Sequence, residues 1–120
     1  MLSLQDLQEM QRSLQDKHKG QWEPLTPDYG KICLLWCMEE FGEVVSIIKK
    51  RGERQIMEDK EVRAAFVEEV SDVLMFLNDA LLCYDVSAEE LSDGYEKKFA
   101  RNMERDWHES KDFLPGKCDK

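Results

Sequence analysis

Acids set inside apolar helical stripes constrain this chain more than any other feature. The run Glu39-Glu40-Phe41-Gly42-Glu43-Val44-Val45 is echoed by Glu68-Glu69-Val70-Ser71-Asp72-Val73-Leu74. Helical residues advance by about 100° each. Cys33, Trp36, Cys37, Val44 and Ile47 then fall within about 60° of Glu40. Val62, Ala65, Phe66, Val73 and Phe76 fall within about 60° of Glu69. Glu43 and Asp72 follow one turn on, while Glu39 and Glu68 turn onto the flanks. Carboxylates normally occupy the wet face of a helix. These four point where core residues point.

Two such helices packed antiparallel bring Glu40, Glu43, Glu69 and Asp72 together. Four charges buried together raise one another's pKa values and neutralise unless a cation joins them. An all-oxygen ligand set without thiolate or imidazole favours a hard ion, Mg²⁺ or Mn²⁺ before Zn²⁺. Magnesium in such sites keeps waters and takes phosphate oxygens as further ligands, so the spacing also points to phosphate chemistry. The competing reading is a solvated acidic face. Two copies on two apolar stripes weigh against it.

The remaining pattern is all-α. Leu4, Leu7, Met10 and Leu14 form one stripe of a first helix, from about Ser3 to Lys19, ended by Gly20. Thr26-Pro27-Asp28 reads as the start of a second helix, with a capping Thr and Pro at the first position. It is expected to run to about Lys50, with Gly52 as its stop and 52–58 as a polar connection. A third helix, from about Lys60 to Tyr84, is apolar nearly all round through Val67, Val70, Leu74, Leu77 and Leu81. It is therefore expected to be the most buried. Ser87-Ala88-Glu89-Glu90 reads as a capping box opening a fourth helix that reaches about Trp107. Residues 1–108 form one expected domain, followed by a 109–120 tail broken by Pro115-Gly116.

Charge narrows the partners. The net charge of −9 opposes a nucleic-acid backbone or an anionic membrane surface. Hydrophobic residues make up 42% and charged residues 36%, which suits a globular chain whose small size favours oligomers. Without an apolar stretch of membrane length or a signal-like N-terminus, the expected location is cytoplasmic. Four cysteines then read as reduced thiols, with Cys33, Cys37 and Cys83 in the core and Cys118 in the tail.

An anionic substrate needs local cations against that field. Lys98, Asn102 and Arg105 share a helical face with Leu91 and Tyr95, a candidate phosphate and sugar clamp or a snorkelling stripe. Arg51 continues the Glu40 stripe, and Lys50, Arg51 and Arg54 read either as phosphate contacts or as ordinary basic residues near a helix end. Trp22, in the loop before the second helix, reads either as a base-stacking ring or as a packing anchor. Asp79 reads as an exposed acid, and His18 and His108 have no catalytic company.

With E-x-x-E, E-x-x-D and the K-x-x-x-N-x-x-R helix in place, residues 4–107 resemble the MazG-like nucleotide pyrophosphohydrolases of the all-α NTP pyrophosphatase superfamily. The residues carrying the resemblance are Glu39-Glu40-Phe41-Gly42-Glu43 and Glu69-Val70-Ser71-Asp72. It implies a four-helix bundle-like fold with an antiparallel metal-binding hairpin, assembled as a homodimer or homotetramer with sites near subunit interfaces. It implies Mg²⁺ on Glu40, Glu43, Glu69 and Asp72. It also implies cleavage of a nucleoside triphosphate between its α and β phosphates, to monophosphate and pyrophosphate. Glu39, or an unliganded oxygen of the cluster such as one on Glu43, then orients the attacking water. Lys98, Asn102 and Arg105 hold phosphate or ribose, and Trp22 serves its own or a neighbour's site.

A di-iron carboxylate bundle needs Glu-x-x-His on two helices. Gln15 and Arg105 stand where His18 and His108 would need Glu. A non-enzymatic helical regulator that binds a nucleotide or metal is the other alternative, and the intact acid quartet argues against it.

Overall fold

The computed structural model describes residues 1–106. It consists of four helices: α1 (Leu4–Lys17), α2 (Pro27–Glu58), α3 (Lys60–Cys83) and α4 (Ala88–Glu104). Among the described residues there is no strand, apart from one isolated bridge between Lys19 and Trp22. Among these residues no helix is long and apolar enough to cross a membrane. Trp107, His108, Cys118 and the expected tail lie outside the described residues.

Three of the four helices begin where a side chain serves the free N–H groups. Ser3 and Asp6 form a reciprocal capping box at α1: Asp6 N–H donates to Ser3 Oγ at 3.1 Å and Ser3 N–H donates to Asp6 Oδ2 at 2.9 Å. Those bonds hold the Asp6 carboxyl below its usual range. Ser87 Oγ accepts from Glu90 N–H at α4. Thr26 makes no side-chain cap, so α2 starts on Pro27 with Tyr29 N–H donating to the Thr26 carbonyl.

The expected end of α2 at Lys50 is corrected. Gly52 does break the backbone, with φ of 80° and ψ of 161°, a conformation suited to glycine. The helix nevertheless resumes and runs to Glu58. Residues 53–58 stay helical because Ile56 turns inward and is buried, and Arg63 Nη1 donates to its carbonyl. Asp59 alone joins α2 to α3. Its N–H donates to the Gln55 carbonyl, while its carboxylate accepts from Glu61 and Val62 N–H.

Helices α2 and α3 pack along their lengths, and α1 lies against α3 with α4 against α1. Cys33, Ala80 and Cys83 form the core, with Leu25, Tyr29 and Trp36 packed on it. The thiols Cys33, Cys37 and Cys83 are buried, as expected from their place on the inner stripe.

The α1 stripe differs from expectation. Leu4 and Met10 are exposed, while Gln8 and Gln11 are buried. The reason is polar docking: Gln8 Nε2 donates to the Val86 carbonyl at 3.0 Å, and Gln11 and Gln15 turn their amides to Asp79. α3 is the most buried of the four helices, as expected, though not on every side. α1 and α2 cover part of its circumference, and Val67, Leu74 and Leu77 remain exposed.

Asp79, expected at the surface, is 6% exposed, and its Oδ1 has no hydrogen-bond partner. Burial pushes its pKa up, and the amides of Gln11 and Gln15 offset part of that rise. The folded pKa lies above the unfolded one, so folding favours the protonated acid. That contribution is complete below the ordinary value of 3.8 and is lost as pH rises through the folded pKa. Asp79→Asn is therefore expected to raise stability at neutral pH by about 1 kcal/mol. It should also flatten the fall in stability above pH 3.8. Urea melts from pH 3 to pH 7 check both, and a less stable variant at pH 7 contradicts the assignment.

Candidate metal centre

Side-chain contacts between α2 and α3 fix the register of the acids. Cys33 meets Cys83, Trp36 meets Phe76, and Cys37 Sγ donates to the Val73 carbonyl. Residue numbers rise along α2 as they fall along α3. One turn beyond the Trp36–Phe76 pair, with centroids 5.9 Å apart, the same facing stripes carry Glu40 and Asp72, and Glu69 follows one turn further along α3. One oxygen from each of the three lies within 4.8 Å of the others, and all three residues are half-buried.

Octahedral coordination at about 2.1 Å sets neighbouring ligand oxygens about 3 Å apart and opposite ones about 4.2 Å apart. The three carboxylates therefore fit a hard divalent ion after small side-chain rotations. The electrostatics agree with that donor set. Desolvation, then the charges of Asp72, Glu40 and Glu43, push the Glu69 pKa up. A cation at this point relieves the repulsion.

Glu43 is exposed and lies outside the close trio, but it is near enough for its charge to act on Glu69. Glu39 is exposed on the flank, as its angle on the helix requires. Arg51 lies at the Gly52 break, where its Nε donates to Gln55 Oε1 at 2.8 Å. Eleven positions separate it from Glu40, roughly 16 Å along a straight helix. Arg54 pairs with Glu58 at the surface, 3.3 Å apart.

The remaining sequence candidates are not brought to the acids within one chain. Lys98, Asn102 and Arg105 sit on or just past the end of α4, which packs on α1 and makes no close backbone approach to α2 or α3. Asn102 Oδ1 is buried without a hydrogen-bond partner. Trp22 stacks on His18, with centroids 4.2 Å apart and planes 18° apart. It lines an open cavity of about 500 Å³ with Arg12, Lys19 and Glu23 among its walls. The loop precedes Pro27, and the run from there to Glu40 spans roughly 20 Å along α2.

The Asp79 pocket was missed by sequence reasoning. Its signal is the spacing of Gln8, Gln11 and Gln15, which gives α1 one amide-rich face.

The model of a dATP/dGTP pyrophosphohydrolase family matches residues 33–118. That span holds both acid motifs and all of α3 and α4, and it amounts to well over half of the chain. No curated protein and no solved structure matches the chain. With four helices in its described residues and a carboxylate trio across two of them, and matched along most of its length, the chain belongs to the dATP/dGTP pyrophosphohydrolase family, hydrolases acting on acid anhydrides.

Proposed function

We propose that this protein is a Mg²⁺-dependent pyrophosphohydrolase that cleaves a deoxynucleoside triphosphate, purine forms first, between the α and β phosphates. Residues 1–108 form its catalytic module, and its role is house-cleaning or control of the nucleotide pool. The observation that carries this reading is the half-buried trio Glu40, Glu69 and Asp72, inside the span matched by the family model.

In this reading Glu40, Glu43, Glu69 and Asp72 hold the metal, with Glu43 closing onto the trio from its exposed position. The ion supplies charge neutralisation for the triphosphate and acidifies the attacking water, and Mn²⁺ substitutes for it. Glu39, or a free oxygen of Glu43, accepts the proton of that water and aims it at the α phosphorus. Pyrophosphate leaves as the anhydride bond breaks.

The substrate carries several negative charges into a protein of net charge −9. Lys98, Asn102 and Arg105 are the groups to receive its phosphates and sugar, with Arg51 in support. Since α4 does not approach the acid helices of its own chain, a second copy completes the clamp. The loop bearing Trp22 would serve a neighbour's site in the same way.

An uncovered apolar face supports that assembly. Leu34, Met38, Phe41 and Val45 of α2 are exposed, as are Val67, Leu74 and Leu77 of α3. Both sets lie about 80–160° round from the acids, in the same rotational sense. On helices that run in opposite directions, equal offsets of one sense fall on the same side of the pair. The hairpin thus presents one apolar face, which docks on its copy in a homodimer or homotetramer.

Pyrophosphate release tests the activity, with dATP, dGTP, the pyrimidine dNTPs and the ribonucleotides, each with Mg²⁺, Mn²⁺ or EDTA. Metal-dependent release led by the purine deoxynucleotides is the expected result. A folded protein that binds magnesium and releases nothing is a binding protein instead.

Metal binding should also depend on pH. Because the Glu69 pKa is raised, protons compete with the ion over a wider range than for an ordinary carboxylate. Titration calorimetry with Mg²⁺ is expected to show affinity falling as pH is lowered toward 5. A flat profile would falsify the role of Glu69 as a ligand.

A further inference from the structure

We propose that Cys33 and Cys83 are a site of oxidative modification, at which a peroxide closes an intramolecular disulfide tying α2 to α3. The two sulfurs lie 4.0 Å apart, on residues 50 positions apart in the chain. The residues are 5% and 2% exposed, in the core beside Ala80. A disulfide needs the sulfurs about 2 Å apart, so closure requires about 2 Å of approach, which rotation about the two Cα–Cβ bonds can supply. A shared metal is the competing use of two such thiols. Among the described residues no third donor joins them within 4.8 Å, the acid trio being the group that meets that distance.

Burial decides which oxidants reach the pair. Desolvation and the neighbouring Cys83 push the Cys33 thiol up to about 12. Burial and the nearby charge of Asp79 also raise Cys83, and hydrogen bonds with Cys33 and with the backbone at Thr26 offset part of that rise. Both thiols are held protonated by burial, so a small neutral oxidant is the species that enters, and either sulfur can react first. With Cys83 first, its thiolate attacks one peroxide oxygen. An S–O bond forms, the O–O bond breaks, and the departing hydroxide takes up a proton to become water. The sulfur of Cys33 then gives up its proton and attacks Cys83. The S–S bond forms, the S–O bond breaks, and a second water leaves. Two thiols are oxidised and one peroxide is reduced to two waters.

Such a bridge closes a long loop in the unfolded chain and holds together the two helices that carry the acids. Cys37 is a useful control because its thiol is turned to the Val73 carbonyl, 3.4 Å away.

The test treats the full chain with hydrogen peroxide, blocks free thiols in denaturant, and maps peptides by mass. The expected result is loss of two hydrogens and a Cys33–Cys83 cross-linked peptide. The melting temperature should rise by roughly 10 °C, and a thiol reductant should reverse it. Cys33→Ala or Cys83→Ala should abolish the cross-link and the rise, and Cys37→Ser with Cys118→Ser should keep both. Mapping of the unaltered protein needs no variant to fold. Oxygen adducts on separate thiols, a bridge through Cys118, or unchanged mass overturns the proposal. None of these readouts depends on the nucleotide reaction, so it stands or falls apart from the proposed activity.

Discussion

Asp72→Asn, and separately Glu69→Gln, is expected to lower metal-dependent pyrophosphate release by a factor on the order of 10³ or more. Each change replaces an anionic ligand by a neutral amide of nearly the same shape, so the loss falls on charge rather than packing. The chain's own electrostatics separate this from misfolding. Without metal, Asp72 and its neighbours repel Glu69, whose pKa is already pushed up. Removing one charge relieves that repulsion, so the melting temperature in EDTA is expected to hold or rise. The signature is therefore opposed: activity collapses, metal-free stability does not fall, and stabilisation by added Mg²⁺ shrinks. Turnover within a few-fold of the parent in either variant removes the acid trio from the mechanism.

The acid pair of helices was legible because its register follows from one number, the helical period. Carboxylates that keep step with Cys33, Trp36 and Phe76 have a single place to go once the stripes meet, and Glu40, Glu69 and Asp72 do meet. The α1 docking was not legible. Glutamine carries no apolar signal, and the partners of Gln8 and Gln11 lie far along the chain at Val86 and Asp79. Gly52 marked a true break, but the helix beyond it depends on burial of Ile56, a tertiary term that local glycine chemistry does not contain. The α4 residues show the same limit. Period placed Lys98 and Asn102 on one face, but it does not say which helix α4 packs on, and that helix is α1 rather than either of the acid pair. Apolar residues all round α3 likewise say that each face prefers to be dry, without naming what covers it.

That uncovered face carries the second large effect. Phe41 is 54% exposed and Leu74 45% exposed in the single chain. Burying such a side chain fully contributes about 1.5–3 kcal/mol, so burying half of each, with five neighbours, amounts to several kcal/mol toward association. Placing a lysine at either position converts that gain into the cost of a desolvated, unpaired charge. On the proposed assembly, the parent is oligomeric by light scattering and Phe41→Lys combined with Leu74→Lys is expected to be monomeric. Both sites face outward in one chain, so the helical circular dichroism spectrum should be retained. Turnover is expected to fall with assembly, by a factor on the order of 10² or more, because the acids would then lack the cations of a second chain. Mixing supplies the decisive arm. An Asp72→Asn protein with an intact α4 is combined with a Lys98→Ala, Arg105→Ala protein with intact acids. If the clamp acts between copies, the mixed oligomer regains part of the activity that each parent lacks. A monomeric double-lysine variant with full turnover would instead place the whole site within one chain.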